Sequence, residues 1–247
     1  MEKINFVFLG SSRFSEFVLN ELERAGFSPS RKITNAKEPL PTDLEADLFI
    51  VASFGKILPK EFIEKPRLGS INVHPSLLPK FRGASPIQNL ILEGGEPGVT
   101  IMKVDEKMDH GPIIAQEKVA INPFPDHYAI IEEKLAKEGG KLLAKVLSKA
   151  ELWTFTPQDE SQATYTKMIK KGDGLIDMNA DAEENWRKVL AYSTWPGAHI
   201  FFKRKTGEEI RVVIKDAKVE DGKFIPTKVI PEGKREMEWE DFLRGNA

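Results

Sequence analysis

Apolar positions along the first part of the chain follow two alternating periods. Residues 4–9 (I-N-F-V-F-L) read as a short buried strand, and Gly10-Ser11-Ser12 as the turn leaving it. Phe14, Phe17, Val18 and Leu22 then recur with helical spacing up to Ala25, and Gly26 closes that helix. Further strands are predicted over 48–52, 70–74, 99–104 and 113–121. Helices are predicted over 86–93, with Pro86 in the first turn, and over 127–149, with Gly139-Gly140 as an interior weakness. Strands and helices in alternation predict a mostly parallel sheet covered on both faces, a Rossmann-like α/β domain. Gly10 stands without the rest of a G-x-G-x-x-G run, so it reads as a tight turn rather than a dinucleotide fingerprint.

Near residue 180 the pattern changes. Residues 181–192 read as a helix broken by Trp195-Pro196-Gly197, and short β-like runs follow at 199–202, 210–214 and 227–230. Turn signals at Thr206-Gly207 and Asp221-Gly222 separate these runs. The expected organisation is a catalytic domain over 1–178, then a linker helix and a small β-rich C-terminal domain over 179–247.

Composition narrows the function. Of 247 residues, 40% are hydrophobic and 30% charged, as in a packed soluble protein. No apolar run approaches the roughly 20 residues that span a bilayer, so no membrane partner is expected. The start, Met1-Glu2-Lys3-Ile4, lacks a signal-peptide pattern, and the expected location is cytoplasmic. The absence of cysteine excludes disulfides and thiolate chemistry, and four histidines without H-E-x-x-H spacing predict no metal site. A formal charge of −2 gives no global signal of nucleic-acid binding.

The chemistry-bearing stretch is I-N-V-H-P-S-L-L-P-K-F-R-G-A-S-P-I-Q over 71–88. In a strand, residues two apart share a face, so Asn72 and His74 project together from the carboxyl end of a central strand, where open α/β sheets bind ligands. A second loop, D-E-K-M-D-H-G over 105–111, supplies carboxylates, with Asp109 just ahead of Gly111, a residue that permits unusual backbone geometry. An amide donor, an imidazole and a carboxylate suffice to pass an acyl group between amines. The amide stabilises an oxyanion, the imidazole serves as acid, base or charge partner, and the carboxylate orients it and handles protons.

These blocks, with G-V-T-I-M-K-V-D-E-K-M-D-H-G-P-I-I-A over 98–115 and V-A-S-F-G-K-I-L-P-K over 51–60, resemble the formyltransferase family, and within it the methionyl-tRNA formyltransferases. The resemblance implies transfer of a formyl group from 10-formyltetrahydrofolate to initiator methionyl-tRNA. It assigns Asn72 to the oxyanion, His74 as its catalytic partner, and Asp109 as the carboxylate that holds the histidine and shuttles protons. Ser76, Leu77, Leu78 and Pro79 match the folate-contacting loop, and Ile57, Leu58, Val104 and Met108 the pterin-pocket walls. Arg82 is expected to order its loop or touch the acceptor. His110, where the family carries Thr, reads as loop variation.

Two departures bear on the acceptor. The family places another strand, a helix and a long basic tRNA-gripping loop between the first helix and the 48–52 strand, and residues 28–46 are too few for that insertion. From His199 onward eleven Lys and Arg face ten Asp and Glu, a weak electrostatic footprint. A formyltransferase acting on a nucleotide-linked amino sugar is therefore the alternative.

Overall fold

The computed structural model describes residues 4–246; Met1, Glu2 and Lys3, on which the signal-peptide reading falls, lie outside the described residues. In chain order the elements are β1 (Phe6–Leu9), α1 (Arg13–Arg24), β2 (Arg31–Ile33), β3 (Leu48–Val51), α2 (Lys60–Ile63), β4 (Ser70–His74), β5 (Arg82–Gly83) and α3 (Pro86–Glu93). There follow β6 (Gly98–Lys103), β7 (Ile113–Lys118), α4 (Tyr128–Leu147), β8 (Tyr165–Thr166), α5 (Ala182–Ala191), β9 (His199–Lys203), β10 (Glu209–Glu220), β11 (Lys223–Pro231), β12 (Met237–Glu238) and α6 (Trp239–Asn246). The chain divides into two units. One holds the segments up to Pro86, Glu96–Ile121 and Glu132–Lys167; the other holds Ile87–Gly95, Asn122–Ile131 and the chain from Met168 onward.

The first unit is built on a six-stranded sheet in the order β2-β1-β3-β4-β6-β7. β1 and β3 are runs of Phe, Val, Leu and Ile buried on both faces, as parallel strands require. The pairs β1–β2, β1–β3 and β3–β4 are parallel, whereas β6 runs antiparallel to β4 and β7 antiparallel to β6. Alternating elements in a sequence do not announce that reversal, because strand direction is set by the path of the connection. α1 begins at Ser12, whose hydroxyl accepts from the Ser15 backbone while the Ser15 side chain returns the bond, a reciprocal cap. The expected weakness at Gly139-Gly140 is instead a packing device. A Cβ at 139 would stand 2.8 Å from Val73 Cγ1 of β4, and one at 140 would stand 2.8 Å from the Val18 carbonyl of α1. Between α1 and β3 lies β2, a short strand largely exposed at the sheet edge.

In the second unit β12-β11-β10-β9 form an open antiparallel sheet. Its core of Val189, Ile200, Val212, Ile214, Val229 and Phe242 brings α5 and α6 against it. α5 starts at Asp181, whose carboxylate accepts from the Glu184 backbone. β10 and β11 are longer than the 210–214 and 227–230 runs suggested. Lys215, Asp216 and Lys218 hide the continuation of β10, and the register shifts on both sides of Asp216. Among the described residues no helix is long and apolar enough to cross a membrane.

Candidate active site

β4 lies between β3 and β6 with unbroken register, so Asn72 and His74 share one face of the sheet. His74 is the last residue of the strand and is buried, while Asn72 is half-buried. The imidazole is held from both sides. Nε2 lies 3.1 Å from the Phe81 carbonyl, and Nδ1 lies 3.6 Å from Asp109 Oδ1. A carbonyl only accepts, which places the proton of the neutral ring on Nε2 and turns the Nδ1 lone pair toward Asp109.

Both of these neighbours sit in the left-handed backbone region, Phe81 at φ +60° and Asp109 at φ +52°. Non-glycine residues rarely stay there unless their surroundings impose it, and such positions gather at functional sites. The unusual conformation expected near Gly111 thus falls on Asp109 itself. Gly111 is demanded by proximity instead, because a Cβ would stand 1.9 Å from the Lys103 carbonyl oxygen. The other Asp109 oxygen, Oδ2, accepts from the Gly83 backbone at 2.8 Å.

The folate-assigned residues differ in exposure. Ser76 and Leu78 are buried: the Ser76 hydroxyl donates to the Lys80 carbonyl, and the Leu78 backbone joins Thr100 and Gln116. Leu77 and Pro79 are half-buried. Ile57 is 84% and Met108 58% exposed, while Leu58 packs partly into the cluster around Phe49 and Phe54. The Lys60–Glu106 ion pair, 2.5 Å, draws the 57–60 segment to the loop carrying Met108, and it raises the Lys60 ammonium pKa above the usual value. Val104 sits apart from His74, donating its N–H to the Ser70 carbonyl at the opposite end of β4.

Arg82, itself buried, occupies the centre of a knot capped by exposed Glu160 and Tyr165. Its Nε and Nη2 donate to Gln158 Oε1, Nη1 and Nη2 donate to the Glu160 carboxylate, and Nη1 also reaches the Tyr165 hydroxyl. With the side chain fully buried and all five N–H groups used, Arg82 orders its loop and is not free to meet an acceptor's phosphates. The hydrogen bond to Glu160 raises the Arg82 pKa and lowers that of Glu160. His110 bridges Asp105 (Nδ1 to Oδ2, 2.7 Å) and Glu160 (Nε2 to Oε1, 3.5 Å), tying the loop to this knot. Gln158 and Glu160 were not singled out from the sequence; they are polar residues in a loop and carry no motif. No group of three or more His, Asp or Glu able to hold a metal ion occurs among the described residues.

Comparison with known proteins now fits this geometry. Residues 9–147 match the model of the formyl transferase family and residues 168–229 that of the formyl transferase C-terminal domain. A methionyl-tRNA formyltransferase of Sulfurihydrogenibium sp. is 39% identical over 217 residues, covering 85% of this chain and 68% of that protein. The solved methionyl-tRNA formyltransferase of Clostridium thermocellum superposes with a TM-score of 0.72 at 19% identity, over 95% of this chain and 99% of that one. The formyltransferase PseJ from Anoxybacillus kamchatkensis, solved with a UDP-linked formamido sugar and tetrahydrofolate, gives a TM-score of 0.53 at 25% identity, over 66% of this chain and 86% of that one. The catalytic-type sheet, its C-terminal companion and these likenesses agree: the chain belongs to the formyl transferase family.

Proposed function

We propose that this protein transfers the formyl group of 10-formyltetrahydrofolate to the amino group of initiator methionyl-tRNA, with Asn72, His74 and Asp109 as its working residues. The observation that carries the reading is the His74–Asp109 pair, held at 3.6 Å on the sheet face that also bears Asn72. Transfer forms a C–N bond to the acceptor amine and breaks the one to the folate nitrogen, through a carbon bearing an oxyanion. The Asn72 side-chain N–H donates to that oxygen. Asp109, the more accessible member of the pair, takes the proton lost by the attacking amine and returns one to the departing folate nitrogen. His74, buried and anchored on the Phe81 carbonyl, acts as the charge partner: an Nδ1 proton gives an imidazolium that stabilises the Asp109 carboxylate.

Exposed Ile57 and Met108 offer apolar surface that suits the wall of a pterin pocket. Leu77 and Pro79 contribute apolar surface, while Ser76 and Leu78 support the loop from inside. The methionyl-tRNA acceptor rests on relatives such as the Sulfurihydrogenibium protein. A nucleotide-linked amino sugar is the second reading, favoured by the short 28–46 segment and the near-neutral chain beyond His199. The test is incubation with 10-formyltetrahydrofolate and either methionyl initiator tRNA or a panel of nucleotide-linked amino sugars. Formyl-methionyl-tRNA is expected; formylated sugar with unmodified tRNA at every salt concentration would put the second reading in its place.

A further inference from the structure

Asp109 is supported at three points, and they converge on one side chain. Gln158 Nε2 donates to the Asp109 carbonyl at 2.8 Å and to the Gly111 carbonyl at 2.7 Å, pinning the loop on both sides of His110. Gln158 Oε1 accepts from Arg82 Nε at 3.0 Å and Nη2 at 2.7 Å. The third support, the Gly83 N–H on Asp109 Oδ2, comes from the residue after Arg82. The Gln158 carboxamide thus has both N–H groups and both lone pairs occupied, and it stands between the loop carrying the carboxylate and the segment that grips it. These contacts hold Asp109 in the left-handed backbone region, which L-residues other than Asn and Asp seldom occupy.

We propose that Gln158 is a positioning residue for formyl transfer: it fixes the Asp109 loop so that Oδ1 faces His74 Nδ1. The proposal rests on the catalytic reading of Asp109 given above. Gln158 touches neither the imidazole nor the Asp109 carboxylate, so its effect is exerted through the backbone.

The discriminating substitution is Gln158→Glu. A carboxylate still accepts from Arg82, and more strongly, so the anchoring of Arg82 survives. It has no N–H to give the Asp109 and Gly111 carbonyls and repels them instead. The expected result is a melting temperature near that of the parent protein, a kcat at least about tenfold lower, and KM values for folate and acceptor within about threefold. Combining Gln158→Glu with Asp109→Asn is expected to lower kcat no further than Asp109→Asn alone, because both remove the same placed carboxylate. If Gln158→Glu does not fold, Gln158→Ala, assayed below its own melting transition, replaces it with the same expected split and non-additivity. Unchanged kcat in the folded variant, or losses that multiply in the double variant, would overturn the positioning role while leaving Asp109 in place. Unchanged kcat in Asp109→Asn alone would sink the catalytic reading, and this proposal with it.

Discussion

Asp109 and Asp221 share a backbone conformation, at φ +52° and +51°, and are held in opposite ways. Asp221 heads a two-residue turn with Gly222 at φ +71°, between Glu220 and Lys223, which pair across the β10–β11 hairpin. Two left-handed residues give the turn the twist its flanking strands already have, and Asp-Gly is the usual chemistry for it. Everything that holds Asp221 lies within a few residues. Asp109 is followed by His110 inside the longer 104–112 loop that joins antiparallel β6 and β7; its supports come from Gly83 and Gln158, 26 and 49 positions away. The same dihedral is an inexpensive local solution in one place and a conformation imposed from a distance in the other. Imposed conformations survive where a side chain has to point somewhere in particular.

The comparison breaks if rate and stability respond alike in the two regions. The largest effect is expected from Asn72→Ala, about a hundredfold in kcat and no less than about tenfold, because an oxyanion donor acts mainly in the transition state. Steady-state kinetics beside a melting curve will check that turnover falls while the fold stays.

Arg82→Leu is expected to lower both quantities. It strips Gln158 and Glu160 of their shared donor, and denaturant titration will read the loss of stability. Glu160 adds a pH signature. Hydrogen bonding to Arg82, and then the charge of that guanidinium, hold its pKa below the ordinary 4.5. The folded state therefore binds fewer protons than the unfolded state near that pH. The contribution is complete above 4.5 and is lost as pH falls through the lowered folded value. Glu160→Gln should flatten the fall in melting temperature on acidification below that point.

Gly222→Ala, which puts a Cβ on a left-handed turn residue, is expected to cost about 1 kcal/mol and leave kcat unchanged. A changed kcat would show that the hairpin is more than a turn. The smallest effect concerns the acceptor. Arg204 is engaged with Glu208 and Asn246, and Arg82 is buried, which leaves exposed Lys203 as the favoured phosphate contact of the three. Lys203→Ala is expected to raise KM for tRNA a few-fold without altering folate binding, and the salt slope should correspond to roughly two to four contacts. A steep slope would point to a basic surface elsewhere on the chain.

The two aspartates also mark what a sequence discloses. Asp221-Gly222 was legible as a turn because its cause is local, and the limits of β4 and α3 were legible for the same reason. Asn72 and His74 could be placed on one face from strand period alone. The reversal of β6, the edge strand β2 and the reach of β10 past Lys215 were not legible. Direction, edge pairing and bulges depend on partners remote in sequence. Gln158 and Glu160 escaped notice because a loop glutamine and glutamate acquire meaning only when Arg82 and Asp109 are brought against them in three dimensions.

The central claim is that Asp109, held against buried His74, handles the proton in formyl transfer, and Asp109→Asn tests it most directly. Asparagine keeps an oxygen for the Gly83 N–H and tolerates the left-handed backbone, so the geometry persists while the basic oxygen is lost. The measurement is the single-turnover rate of formyl transfer from 10-formyltetrahydrofolate to methionyl-tRNA, with folate affinity measured in parallel. The account predicts a rate at least about tenfold lower with folate affinity within about twofold of the parent. A rate within about twofold of the parent would contradict it.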